Sequence, residues 1–359
     1  MPLSRPIAAL ALLGLAAAAQ GAAIQSAAVA ASLPAYGADP QQTSVSGVSS
    51  GAFMAVQLQV AYSASIMGAG IVAGGPYYCA AGNLLFTGIC MGLMKPNAED
   101  LLDSAKSFAS AQLIDPLNHL SQRRIYVFSG TEDNIVRQRA VDSTVSFFQK
   151  AGVSPERLQY VNKMPAGHAL ITPAYGNDCA ANAEPYISHC STTNGQGYDQ
   201  AQALLQHIYG PLNPRVEVPA GKLISFNQRA YASAATSMAE TGYVYVPSEC
   251  AAGASGTSSC RVHVALHGCN QSAESVGDKF YSKTGYNQWA DSNKLIILYP
   301  QVNKSGTMFT SNPQGPFNPD GCWDWWGYTS AGYAYKSGPQ MKAIKDMINH
   351  LTQPAQKSL

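Results

Sequence analysis

Three residue types, met in one order along this chain, could together attack an acyl carbon: a serine between glycines, an aspartate and a histidine. Ser49 lies in Gly47-Val48-Ser49-Ser50-Gly51, a Gly-x-Ser-x-Gly pattern that fits a sharp strand-to-helix turn lifting the serine Oγ clear of a sheet. A serine hydroxyl is a weak nucleophile until a base takes its proton, and the base needs a carboxylate to fix its tautomer and stabilise its charge. The pattern alone carries little weight in a chain with 32 glycines. Its bland alternative is a turn of small residues, so the surrounding elements must decide.

The expected partners are Asp133 and His168. Asp133 follows the apolar run Arg124-Ile125-Tyr126-Val127-Phe128, and His168 follows Leu158-Gln159-Tyr160-Val161, in Met164-Pro165-Ala166-Gly167-His168-Ala169. Loops after successive strands, in the order Ser, Asp, His, are where a hydrolase sheet holds its triad. Two alternatives stay open for the acid: Asp133 as the cap of a helix starting near Ile135, and Glu132 as the true partner. Among the other histidines, His119, His189, His207 and His350 fall in expected surface helices or loops.

These side chains require a mainly parallel sheet covered by helices. The runs 124–130, 262–268 and 295–300 are apolar on both faces, as buried parallel strands are, and 71–75 and 158–161 read as weaker strands. Helices are expected at about 51–63, 98–111, 136–151, 198–208, 282–292 and 338–351, and short apolar runs alternating with helices predict an α/β fold. Tyr243–Pro247 is expected to form a hairpin with 262–267, stapled by Cys250 and Cys260. The segment 170–197 reads as a loop.

A fourth element completes the chemistry. His267-Gly268-Cys269-Asn270-Gln271 ends a buried strand and opens a loop, the position of an oxyanion-hole loop. Together with the elbow it offers the N–H groups of Ser50 and Cys269 to a developing oxyanion; the plainer reading of His267-Gly268 is a strand-ending turn. This loop normally precedes the nucleophile, yet here it comes long after it. Helix 338–351 occupies the place that leads into a nucleophile strand. The chain therefore reads as circularly permuted, its halves joined through 209–222, an arrangement tolerated where chain ends meet at the surface.

Residues 1–23 read as an export signal, with Arg5, an apolar Ala/Leu run and small residues at 19–23; an N-terminal anchor is the alternative. Residues 24–33 are expected to be an unstructured leader and 34–359 one catalytic domain. Eight cysteines suit an oxidising compartment, outside the cell or in a periplasm. Paired in sequence they would be Cys79 with Cys90, Cys179 with Cys190, Cys250 with Cys260, and Cys269 with Cys322, one of many connectivities open to eight cysteines. No Cys or His cluster has metal-ligand spacing, and neither metal nor cofactor is expected. A net charge of +1 with 12% charged residues excludes the basic face of a nucleic-acid binder. A surface so poor in charge can approach an uncharged, water-insoluble partner at little desolvation cost.

Three segments, Ser44 to Ala55, Leu266 to Gln271 and Gly321-Cys322-Trp323-Asp324-Trp325-Trp326-Gly327, together resemble secreted poly(3-hydroxybutyrate) depolymerases of the single-domain, circularly permuted α/β-hydrolase type. The resemblance runs from about residue 40 to 350. It implies Ser49, Asp133 and His168 as triad, Ser50 and Cys269 as oxyanion donors, and a tryptophan of the Cys-Trp-Asp segment at the substrate crevice. The implied partner is a polyester, as insoluble polymer or as oligomers, with no nucleic acid and no stable membrane insertion; a monomer is expected. Three of the four tryptophans, Trp323, Trp325 and Trp326, lie in this segment, and a disulfide from Cys322 to Cys269 would hold them beside the oxyanion loop. Core packing is their plainer fate. The competing enzyme reading is a feruloyl or acetylxylan esterase; a non-catalytic binding module would require a lost triad member, and none is lost.

Overall fold

The computed structural model describes residues 31–251 and 260–355; the expected export signal at 1–23 lies outside them. In chain order the strands are β1 (Thr43–Val48), β2 (Ile66–Val72), β3 (Arg124–Phe128), β4 (Leu158–Val161), β5 (Leu170–Thr172), β6 (Asn177–Asp178), β7 (Ile187–His189), β8 (Lys222–Asn227), β9 (Thr241–Val246), β10 (Arg261–Leu266) and β11 (Leu295–Tyr299). The helices are α1 (Ser50–Ala61), α2 (Thr87–Cys90), α3 (Ala98–Ser110), α4 (Gln138–Lys150), α5 (Gln200–Tyr209), α6 (Ala273–Val276), α7 (Lys279–Lys283), α8 (Tyr286–Ser292) and α9 (Pro339–Thr352).

The main sheet runs β4-β3-β2-β1-β10-β11-β9-β8. Its core strands pair in parallel, and β9 is antiparallel to both neighbours. Side chains of period two feed two apolar layers. Val262, Val264 and Leu266 of β10 join the layer that includes α1 and α9, while Ala265 joins the layer of Leu204, Leu205 and Trp289 from α5 and α8. Burial on both faces explains why these strands read as unbroken apolar runs.

The permutation is visible in the strand order. Counted from β8 as first, and passing over the short strands β5 to β7, the order is 1-2-4-3-5-6-7-8, with the nucleophile strand fifth and the oxyanion loop after the third. The fold is a circularly permuted α/β-hydrolase. Its two ends are zipped together: the Tyr36 and Ala38 N–H groups donate to the Leu351 carbonyl at 3.2 Å each, and the Gly37 N–H donates to the Gln353 carbonyl at 2.8 Å.

Four expectations are corrected. Strand β9 does not form a hairpin with β10; β11 lies between them, so the Cys250–Cys260 bond closes a crossover rather than a hairpin. The helix expected over 282–292 breaks into α7 and α8 at Gly285, whose φ of 89° is outside helical space. The expected loop 170–197 holds a small sheet of order β5-β7-β6, with strands too short to carry a period. Leu33, assigned to the leader, is a core residue at 1% exposure, and the Ala31 carbonyl accepts from the Asn227 N–H at 2.8 Å.

Candidate active site

Ser49 sits between β1 and α1 with φ 55° and ψ −125°, a conformation that side-chain-bearing residues adopt only when the surroundings enforce it. The enforcement is local. A Cβ on Gly47 would fall 2.2 Å from the Gly51 carbonyl oxygen, and one on Gly51 would fall 2.3 Å from the Leu266 carbonyl oxygen. Only glycine fits at either position, so the elbow folds tightly and α1 starts hard against the end of β10. The Ser49 N–H donates to the Val72 carbonyl at 2.9 Å, fixing the turn to the neighbouring strand and leaving the side chain half-buried.

Asp133 and His168 meet across two loops. The Asp133 Oδ2 lies 2.8 Å from His168 Nδ1, and both side chains are almost wholly buried. The other carboxylate oxygen, Oδ1, accepts from the Ile135 and Val136 N–H groups at 2.9 Å each. Asp133 therefore holds His168 through one oxygen and a turn ahead of α4 through the other, but it does not cap that helix, whose N-cap position is Arg137. Glu132, the rival acid, is exposed. Asn182 ties the two loops: its side chain accepts from the His168 N–H at 2.9 Å and donates to the Glu132 carbonyl at 3.0 Å. It lies inside the segment that read as a loop, with no sequence pattern to single it out.

Ser49, His168 and Cys269 share a crevice of about 350 Å³ whose walls are mostly apolar. A Cβ on Gly268 would lie 3.2 Å from the Ser49 Cβ, so the loop after β10 runs directly beside the nucleophile elbow. The Cys269–Cys322 disulfide spans a Cα–Cα distance of 4.2 Å, and the other three sequential pairings are formed as well. Among the described residues, neither the Ser50 nor the Cys269 N–H is taken by a backbone acceptor outside its own element.

The tryptophans divide. Trp325 and Trp326 line the crevice, Trp325 stacking on Phe53 at 4.3 Å between ring centroids. Trp323 does not reach it: it is fully buried, with its ring 5.4 Å from that of His267. The divider is Asp324, whose buried carboxylate accepts from the N–H groups of Gly327, Tyr328 and Thr329 and so curls the segment into a tight turn. Sequence reasoning missed Tyr186, Phe317 and Leu84 as crevice residues; none lies in a motif.

A different serine–histidine contact is not part of this site. Ser44 and Ser46 Oγ bond the two ring nitrogens of His263 at 2.6 and 2.7 Å. That ring is fully buried between strands, and burial pushes its pKa down to about 3.

A hydrolase sheet with a serine elbow at the end of its fifth strand, and a buried Asp–His pair facing the same crevice, defines the class as α/β-hydrolase. No protein-family profile matches the chain. It is 43% identical over 328 residues to a poly(3-hydroxybutyrate) depolymerase of Delftia acidovorans, covering 90% of this chain and 62% of that one. It is 40% identical over 332 residues to a polyhydroxybutyrate depolymerase of Talaromyces funiculosus, covering 90% of this chain and 93% of the relative. The crystal structure of the PHB depolymerase from Penicillium funiculosum superposes with a TM-score of 0.79 at 36% identity, over 90% of this chain and all of that one. A second structure is that of a PHB depolymerase serine-to-alanine variant complexed with an R3HB trimer, with the same coverage and score. The chain belongs to the polyhydroxybutyrate depolymerase family. It spans less than two thirds of the Delftia relative.

Proposed function

We propose that this chain is a secreted carboxylic ester hydrolase that cleaves poly(3-hydroxybutyrate) or related short-chain polyhydroxyalkanoates. The observation that carries this reading is the buried Asp133–His168 pair opening onto the same apolar crevice as the Ser49 elbow, in a family with a member solved with an R3HB trimer. In the proposed mechanism His168 Nε2 takes the Ser49 proton as Oγ attacks the ester carbonyl. Asp133, already bonded to Nδ1, holds the tautomer and stabilises the imidazolium. The Ser50 and Cys269 N–H groups receive the oxyanion. The protonated base then protonates the leaving alkoxide; water, deprotonated by His168, attacks the acyl-enzyme carbonyl, and the hydroxy acid leaves as Ser49 Oγ takes back the proton.

The crevice wall suits a methyl-branched aliphatic unit, with Trp325, Trp326 and Ile135 offering apolar contact. Leu85 and Phe309, at 84% and 92% exposure, stand on the same two loops that supply Leu84 and Phe317 to the crevice. Apolar side chains so exposed fit contact with a water-insoluble polymer surface. Four disulfides among the described residues accord with export to an oxidising compartment. The test is incubation with amorphous 3-hydroxybutyrate polymer, with the released acids identified, beside a methyl ferulate assay. Release of 3-hydroxybutyrate and its oligomers supports the reading; turnover of the ferulate alone replaces it with the phenolic ester alternative.

A further inference from the structure

The histidine of the His267-Gly268 pair faces no substrate: it is fully buried and does not line the crevice. Its two ring nitrogens nevertheless have fixed and different partners. Nδ1 lies 2.7 Å from the Gly268 carbonyl oxygen, which can only accept. Nε2 lies 3.1 Å from the Val302 N–H, which can only donate. The pair of contacts selects one neutral tautomer, with the proton on Nδ1. Burial supports it by pushing the ring pKa down to about 4.

The Gly268 carbonyl belongs to the same peptide unit as the Cys269 N–H. A peptide unit is planar and trans, so its C=O and N–H point in opposite directions. Holding the carbonyl toward the buried ring turns the N–H away from it, toward the crevice that Cys269 lines. The next peptide unit back is held by a side chain too: the Gly268 N–H donates to Gln271 Oε1 at 2.7 Å. Gln271 in turn donates through Nε2 to the Pro185 and Tyr186 carbonyls, both at 2.9 Å. Gly268, which has no side chain to restrain its own backbone, is thus gripped at both of its polar atoms.

We propose that His267 is a positioning residue, a single-tautomer strut between Val302 and the Gly268 carbonyl that aims the Cys269 N–H at the oxyanion. The proposal rests on the reading of Cys269 as an oxyanion donor. The anchor at the far end of the strut is the backbone just beyond β11, so the aim is set by the sheet and not by the loop alone.

Two substitutions separate the two ends of the ring. In His267→Asn the amide nitrogen falls near the Nδ1 position and can still donate to the Gly268 carbonyl, but the Val302 contact is lost. In His267→Gln the amide oxygen falls near the Nε2 position and can still accept from Val302, but the Gly268 contact is lost. On a short p-nitrophenyl ester, His267→Gln is expected to lower kcat by about tenfold to a hundredfold with KM changed by less than about twofold, since loss of a whole oxyanion donor costs about a hundredfold or more. His267→Asn is expected to recover most of that kcat, whichever variant melts lower. Equal losses in both variants, losses that follow melting temperature, or a loss expressed in KM would make His267 a packing residue and overturn the proposal.

A readout without turnover accompanies the kinetics. Imidazole ¹⁵N resonances of the wild-type protein should report the Nδ1-protonated tautomer, and the Cys269 amide should exchange faster in His267→Gln than in His267→Asn. An Nε2-protonated ring overturns the strut even if the protein hydrolyses no ester. The expected tautomer and exchange order, with kcat unchanged in both variants of an active esterase, would instead remove Cys269 as the donor and the proposal with it. An inactive wild-type protein with the expected resonances would count against the proposed hydrolysis while supporting the strut geometry.

Discussion

At the residue scale, the two carboxylate oxygens of Asp133 have different partners. Its Oδ1 accepts two backbone N–H groups and its Oδ2 faces His168, so an amide replacement keeps the turn and corrupts the pair. Asp133→Asn is expected to leave the fold intact and to lower kcat by about ten-thousandfold, because the amide NH₂ presents a donor to Nδ1 and forces the wrong tautomer. Circular dichroism and kcat on a p-nitrophenyl ester check this; activity within tenfold of wild type would remove Asp133 from the triad. The sequence favours Asp133 over Glu132 by its place after the strongest strand, and in the structure Asp133 is buried against His168 while Glu132 is exposed. The crevice aromatic was legible only as a segment. Which tryptophan faces the crevice depends on the turn around Asp324, a tertiary arrangement with no local signature. Trp325→Ala should therefore lose much more activity on hydroxybutyrate oligomers than on p-nitrophenyl acetate, because a multi-unit chain uses remote contacts to align the reacting bond. Equal losses on both substrates would make Trp325 a core residue.

Elements carry these side chains, and here legibility followed length and burial. Strands β3, β10 and β11 are apolar on both faces and stood out, as did α4 and α9 with one buried stripe each. Partnering was harder. The run at 243–247 was visible, but its neighbour was not, because strands adjacent in sequence can be separated by one that arrives later. Strands β5 to β7, at two or three residues each, are set by the loop's own disulfide and contacts rather than by pattern. The disulfide from Cys269 to Cys322 joins two loops that share the crevice. Replacing both cysteines with alanine is expected to lower kcat more than it raises KM, since a preorganised donor acts mainly in the transition state. Kinetics on a soluble ester under non-reducing conditions are the check; a change confined to KM or to melting temperature would limit the bond to stability.

For the whole molecule, sensitivity to acid follows from two histidines buried as neutral rings. Burial lowers His263 to about 3 and His267 to about 4, from 6.5 in an unfolded chain. Between those values the unfolded chain binds protons that the folded one does not. Their contribution is therefore fully present above pH 6.5 and is lost as pH falls toward 4 and then 3. Each ring has a limiting slope of about 1.4 kcal/mol per pH unit in its window. Urea unfolding at pH 7, 5.5 and 4.5 should show a falling midpoint, and the fall should be shallower in His263→Asn. A midpoint unchanged down to pH 4.5 would mean that both rings are already protonated or exposed. The permutation, by contrast, is legible in the order of the motifs along the chain: the oxyanion loop comes after the nucleophile.

The zipper between Tyr36–Ala38 and Leu351–Gln353 has a practical reach. It closes the chain near the start of β1, whereas Ser49 stands at the finish of that strand, about 20 Å away at 3.3 Å per residue. The chain before Tyr36 runs to Asn227 at the other rim, but a tag, surface linker or fused module attached after Gln353 leaves from one spot on the far rim of the sheet. Immobilised through that spot, the molecule would hold its crevice outward from the support, free to meet a film or particle. Any module meant to grip the same solid would need a tether long enough to come around the flank.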